Sequence, residues 1–221
     1  MRAADGTRLH ARYIERQGAD RLLLYFHGNA GNLADRSDLL EIFGDFGTHV
    51  LALEYRGYGQ SEGEPSERGI YQDAMAAYEW AVARFEPRNV ILLGESLGGG
   101  PACELASKQK VGGLILLSTF TSIADMAARQ FPWLPVRWLV RTKFDNAAKI
   151  GKVSVPKLFV HSRTDEVVPF DMSERLFQAA AEPKTTLWLD RGGHNETFYF
   201  HRSTLAAKVR TFLKSLDALA S

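Results

Sequence analysis

The chain has 221 residues, 45% of them hydrophobic and 24% charged, the balance of a globule that buries a large core without disulfides. A formal net charge of +1, with no lysine–arginine block, argues against a nucleic-acid binder. Cys103 is the single cysteine, which excludes an intrachain disulfide and leaves the redox compartment unreported; it reads as a helix-packing residue.

Short apolar runs alternate with helical patterns along the chain. "RLHARYI" reads as an opening strand, followed by "RLLLYFH" ending at His27 and "HVLALEY" ending at Tyr55. "SERGIYQDAMAAYEWAVARF" starts on a capping-box-like Ser66 and carries apolar residues at helical spacing. "NVILLGE" is a strand ending at Glu95, "SLGGGPACELASKQ" a helix, and "GGLILLS" a strand ending at Ser118. The stretch from about Thr119 to Lys152 is longer than a crossover needs and is expected to hold extra short helices above the sheet. "KLFVHS" and "TTLWLD" are strands on either side of the helix "FDMSERLFQAAAE", and "ETFYFHRSTLAAKVRTFLKSL" is a closing helix. Several strands are apolar on both faces, and strand–helix alternation predicts an α/β fold with a doubly wound, mostly parallel sheet. Without repeats, low-complexity tracts or Gly/Ser linkers, residues 1–221 read as one domain with a lid insertion at about 119–152.

The glycine-rich "GESLGGG" lies between a predicted strand and a predicted helix. That is the setting of a nucleophile elbow, a sharp turn that lifts Ser96 above the carboxyl edge of the sheet. Serine needs a base to take its proton. Among six histidines, His194 in "RGGHNE" follows the last strand and so shares that edge; His10, His49 and His201 read as structural or solvent-facing. His161 comes too early for the order serine, acid, histidine. Asp165 in "HSRTDEVVPF" supplies the carboxylate that fixes the base, with Glu166 as the alternative and Asp171 as a helix-start residue. The oxyanion donors are expected to be the backbone amides of Leu97 and of Asn29 in "HGNAGN", with His27 bracing that loop.

The motifs "HGNAGN", "EYRGYGQSEG", "GESLGGG", "KFDN", "TDEVVP" and "GGHN" run from His27 to Asn195. In this order the chain resembles the α/β-hydrolase superfamily, and within it the branch of serine aminopeptidase-like hydrolases and membrane-associated depalmitoylase relatives. The resemblance implies the fold and a Ser96–Asp165–His194 triad, and says little about substrate. A serine at the elbow excludes the aspartate-dependent dehalogenases and epoxide hydrolases and the cysteine-dependent dienelactone hydrolases. No H-E-x-x-H or Cys–His ligand spacing appears, so neither metal nor cofactor is expected.

The expected activity is cleavage of a small-molecule acyl ester or thioester through an acyl-enzyme. An aminopeptidase-type peptidase and a noncatalytic binding protein of the same fold stay open as alternatives. Phe131, Trp133, Leu134, Trp138 and Leu139 concentrate in the lid segment, broken by Pro132 and Pro135. They read either as packing the lid onto the body or as an apolar wall for an acyl chain, with lipid contact through the lid. No run approaches bilayer-spanning length and the start lacks a signal-peptide core. The expected location is cytoplasmic, or membrane-associated if an anchor once preceded the opening strand. Oligomeric state does not follow from these residues.

Overall fold

The computed structural model describes residues 1–133 and 142–220. Its strands are β1 (Ala11–Ile14), β2 (Leu22–Phe26), β3 (His49–Leu53), β4 (Val90–Glu95), β5 (Gly113–Leu117), β6 (Lys157–Ser162) and β7 (Lys184–Leu189). They form a seven-stranded sheet in the order β1-β3-β2-β4-β5-β6-β7. Only β1 runs antiparallel, against β3; the remaining pairs are parallel.

The pleat explains the double-sided apolar runs. Leu22, Leu24 and Phe26 point to one face of β2, while Leu23 and Tyr25 point to the other, and all five are fully buried. The first face is covered by α2 (Glu67–Val82), α3 (Gly99–Ala106) and α6 (Phe170–Ala179) through Ile70, Ala74, Leu105 and Leu176. The second is covered by α1 (Ser37–Gly44) and α8 (Arg202–Ala220) through Leu39, Phe43, Leu205, Val209 and Phe212. Both sides of the central strands β2 to β6 therefore face a helix layer, as a parallel sheet requires.

The predicted fold class stands, with local differences. The opening strand covers only its last four residues, because Arg8 bridges to Arg2 instead of pairing in the sheet. Helix α1 is additional; it starts without a side-chain cap and so lacks a sequence signal. Ser66 caps α2 by accepting the Gly69 amide at 3.1 Å. The long stretch after β5 holds α4 (Ile123–Gln130) and the short α5 (Ala147–Ile150). The closing helix is broken into α7 (Thr197–Phe200) and α8, because the His201 ring at the junction donates to the Arg191 carbonyl at 2.8 Å. Among the described residues no helix is long and apolar enough to cross a membrane.

The entry to α3 lies against the carboxyl end of β2. A Cβ on Gly98 would sit 2.0 Å from the Phe26 carbonyl oxygen, a backbone atom of the central sheet that cannot yield. Gly98→Ala should thus destabilise the fold by more than about 3 kcal/mol, the range of overpacked core sites. Gly44, at the end of α1 with nothing within 4 Å of its would-be Cβ, is the contrast. Gly44→Ala should be neutral or stabilising by up to about 1 kcal/mol. Chemical denaturation of the two variants checks the pair, and equal midpoints would contradict the packing account.

Candidate active site

Strand β4 ends at Glu95, and the next residue, Ser96, has φ of 50°. A residue with a Cβ rarely enters that region, so the turn holds local strain at this serine. One 3-10 turn, Ser96–Gly98, leads directly into α3. The turn is this tight because Gly94 lacks a side chain: a Cβ there would meet the Gly98 carbonyl oxygen at 2.5 Å. Ser96 is half-buried at the carboxyl edge, and Leu97 behind it is buried.

Asp165 and His194 come to the same edge from the turns after β6 and β7. The His194 Nδ1 donates to Asp165 Oδ2 at 2.7 Å, and the Asp165 side chain is fully buried. Asp165 Oδ1 accepts the Val167 and Val168 amides at 2.9 and 2.8 Å. Burial by itself would raise this carboxyl, but hydrogen bonds from His161 and His194 and from the Val168 amide outweigh it and hold the group well below the usual carboxylate range. Glu166, exposed, accepts the His194 backbone amide at 3.1 Å, so it fixes the histidine loop rather than the imidazole.

His161 is a participant that chain order alone passes over. Its Nε2 lies 3.1 Å from Asp165 Oδ2 and 2.9 Å from the Val168 carbonyl, while its Nδ1 meets Ser173 Oγ at 2.6 Å. Two acceptors at Nε2 place the proton there. The i,i+4 spacing of His161 and Asp165 is the faint sequence signal of this contact. The other histidines behave as expected. His10 pairs with Glu54, His49 bonds Tyr13 and the Ala19 carbonyl, and His201 bonds Arg191. Asp171 sits in the first turn of α6 and pairs with Arg129. The buried Cys103 thiol is pushed up to about 12 by burial, which leaves it inert at neutral pH.

The loop after β2 carries Asn29 beside the elbow. Tyr58, from the turn-rich stretch after β3, donates to Asn29 Oδ1 at 2.7 Å. His27 Nδ1 bonds the Gly28 carbonyl at 2.7 Å and Tyr55 donates to the His27 carbonyl at 2.9 Å, so His27 does brace this loop. Glu95, the acid nearest the elbow in sequence, turns its carboxylate to Arg36 and Tyr25 inside the protein.

A cavity of about 410 Å³ opens over Ser96 and Asn29. Leu97, Phe120, Ile123, Met126, Phe144 and Val168 give it an apolar wall. Phe131 and Trp133 are not among its lining residues. They follow the end of α4, are 43% and 74% exposed, and stack edge-to-face on each other; the α4 residues that face the cavity are Ile123 and Met126. Trp138, with Leu134, Pro135 and Leu139, lies outside the described residues. A larger groove of about 1110 Å³ runs past Arg21, Thr48, Asn89, Gly112 and Pro156, which precede strands, so it occupies the opposite edge of the sheet. Among the described residues no group of three or more His, Cys, Asp or Glu side chains could hold a metal ion.

The depressed Asp165 carboxyl has a measurable consequence. Its stabilising contribution is complete above the ordinary carboxylate value of about 4 and is lost as the pH falls from there through the lower folded-state value. The Tm difference between the parent protein and Asp165→Asn should stay level from about pH 8 to about pH 5 and narrow toward about pH 3. A difference that stays constant down to that pH would contradict the assigned environment.

The alpha/beta hydrolase fold model matches residues 21–139. An uncharacterized protein of Mycobacterium tuberculosis is 37% identical over 219 residues, covering 97% of this chain and 78% of its own length. The protein WAV2 of Arabidopsis thaliana, described as alpha/beta hydrolase domain-containing, is 34% identical and is covered to 72% of its length by 90% of this chain. Lysophosphatidylserine lipase ABHD12 of Danio rerio is 32% identical over 90% of this chain, which spans 56% of that protein. Among solved structures, the alpha/beta hydrolase GrgF from Penicillium sp. sh18 superposes with a TM-score of 0.82 at 17% identity, covering 99% and 97% of the two chains. The esterase Pf2001 of Pyrococcus furiosus gives 0.79 at 19% identity, covering 97% and 90%. With its sheet order, strained serine turn and matching family model, this chain belongs to the α/β-hydrolase family.

Proposed function

We propose that the protein is a serine hydrolase of carboxylic ester or thioester bonds. The observation that carries this reading is the 2.7 Å bond from His194 Nδ1 to a buried, ionised Asp165, on turns that flank the strained Ser96 elbow. An ionised Asp165 keeps the proton on Nδ1 and leaves the Nε2 lone pair as the base. Ser96 Oγ attacks the substrate carbonyl while His194 Nε2 takes its proton. The amides of Asn29 and Leu97 receive the oxyanion. The tetrahedral adduct collapses, and His194 returns the proton to the departing alkoxide or thiolate. Water, deprotonated by His194, then attacks the acyl-enzyme and releases the acid and Ser96.

The wall of the cavity supports an acyl substituent. No lysine or arginine lines it among the described residues, and its one carboxylate, Glu67, is committed to the Lys143 and Phe144 amides and the Tyr71 hydroxyl. A substrate amine therefore finds no open acid there, which weighs against the aminopeptidase reading. A relative named as a lysophosphatidylserine lipase is in keeping with acyl-ester chemistry.

Ser96→Ala should slow hydrolysis of p-nitrophenyl esters by at least about a thousandfold in a folded protein, the scale of losing a triad member. Asp165→Asn should cost far more activity than Glu166→Gln. Near-normal turnover by purified Ser96→Ala sinks the reading, and the reverse ranking of the two acids moves the triad to Glu166.

Chain-length preference tests the cavity separately. Each methylene buried in it is worth up to about 0.8 kcal/mol. Ile123→Trp, which fills the cavity, should reduce kcat/KM for an octanoyl ester by at least about tenfold while an acetyl ester changes by less than about threefold. A parallel fall for both esters rejects this cavity as the acyl site.

A further inference from the structure

Arg36, on the turn before α1, reaches both loops that meet at the elbow. Its Nη2 donates to the Ala30 carbonyl at 2.6 Å and more weakly to the Gly28 carbonyl at 3.4 Å. Its Nη1 lies 3.3 and 3.5 Å from the two carboxylate oxygens of Glu95, the residue before Ser96. The pair is withdrawn from solvent, with side chains 14% and 7% exposed. Tyr25 donates to the same carboxylate, and burial, followed by the Glu95 charge, raises its phenol so that it stays a donor. A guanidinium suits this position because its planar fork can serve a carboxylate and two carbonyls at once.

The carbonyls that Arg36 holds set the direction of amides. In a trans peptide the C=O and the following N–H point opposite ways. The one cis bond among the described residues is Glu182–Pro183, so the Gly28–Asn29 peptide is trans. Its carbonyl accepts from His27 Nδ1, which must carry a proton to meet it, and more weakly from Arg36 Nη2. His27 Nε2 is left buried with no partner, and burial lowers its pKa to about 4, in keeping with a neutral ring. The Asn29 N–H is thereby turned away from Arg36 and His27, and Asn29 and Ser96 both line the cavity. The loop is in contact with the elbow itself: a Cβ on Gly28 would lie 3.2 Å from Glu95 Oε1, 3.5 Å from Ser96 Cβ and 3.6 Å from Arg36 Nη2.

We propose that Arg36 is a positioning residue that aims the Asn29 amide and, through Glu95, locks the loop after β2 to the serine turn, so that the two oxyanion donors hold one geometry. This rests on the serine-hydrolase reading above. Stability alone is a poor explanation for the pair, since a buried ion pair is often no better than apolar packing. Its contribution is to the transition state, where the oxyanion forms.

The test compares Arg36→Ala, Arg36→Lys and Glu95→Gln with the parent protein. Turnover of p-nitrophenyl esters is normalised to the sites titrated by a fluorophosphonate. Arg36→Ala should lose about a hundredfold in kcat per titrated site, as when an oxyanion donor is lost, with KM within about threefold. Added guanidinium ion at sub-denaturing concentration should restore part of it. Arg36→Lys should lose at least about tenfold, because an ammonium that reaches Glu95 cannot also span both carbonyls. Glu95→Gln should fall in the same direction with KM unchanged. A kcat per site within about threefold of the parent in Arg36→Lys and Glu95→Gln overturns the proposal. So does a lower titre with normal kcat in the surviving sites, the mark of a structural role only. If Arg36→Ala gives no titratable protein, the other two variants decide by the same criteria. Failure of the underlying reading looks different: the parent protein then carries no label on Ser96, or Ser96→Ala turns over normally.

Discussion

Contact between backbone and backbone at Gly98 and Phe26 is the constraint on which the candidate active-site edge depends. With 2.0 Å between a would-be Cβ and the Phe26 carbonyl oxygen, the entry to α3 lies directly on the end of β2. That closeness brings the serine turn and the loop after β2 within touching distance, though α1, β3, α2 and β4 separate them in sequence. Parallel strands do the rest. Because β2, β4, β6 and β7 all run the same way, the turns that leave them emerge at one edge. The turns that carry Ser96, Asn29, Asp165 and His194 therefore lie at one edge without any one stretch of chain having to span it.

Charge at this edge is handled locally. Asp165 is surrounded by donors: two amides on one oxygen and two imidazoles on the other. Glu95 is matched by Arg36 and Tyr25. Arg56, farther from the serine, is held by Asp73 and Asp5 and fixes the turn-rich stretch from which Tyr58 reaches Asn29. A buried charge is tolerated when it is paired and hydrogen-bonded, and each of these three clusters pairs its charge with donors or acceptors of its own, although Arg36 Nε is left buried without a partner. The result is a mouth whose candidate site residues sit on braced turns and whose wall is largely apolar.

The layered fold was readable because parallel strands with two covered faces leave long apolar runs, and the serine turn because its glycines are forced by backbone contacts. The order of Ser96, Asp165 and His194 along the chain matches the order of the turns that carry them. Helix α1 was not readable, since it is short and begins without a capping side chain. The positions of Phe131 and Trp133 are not legible for a related reason: aromatic concentration reports that rings are present, not which way a short helix ends. His161, Arg36 and the Glu95 carboxylate were the least legible. The Arg36–Glu95 contact joins residues 59 apart, and a single long-range polar pair leaves no periodicity to detect.

The two faces of the sheet differ in when they can be closed. Helices α2 and α3, which cover the first face, are made soon after the strands they sit on. The second face relies on α8, whose Leu205, Val209 and Phe212 come after every strand, and whose Asp217 pairs with Arg21 across 196 positions. On a ribosome, the first face and the part of the second that α1 covers, where Phe43 meets Tyr25, can therefore be sheltered early, while the part left to α8 waits for nearly the whole chain. During that interval the nascent sheet presents an apolar surface to whatever chaperone is at hand, and a stall before α8 emerges would leave it open to aggregation.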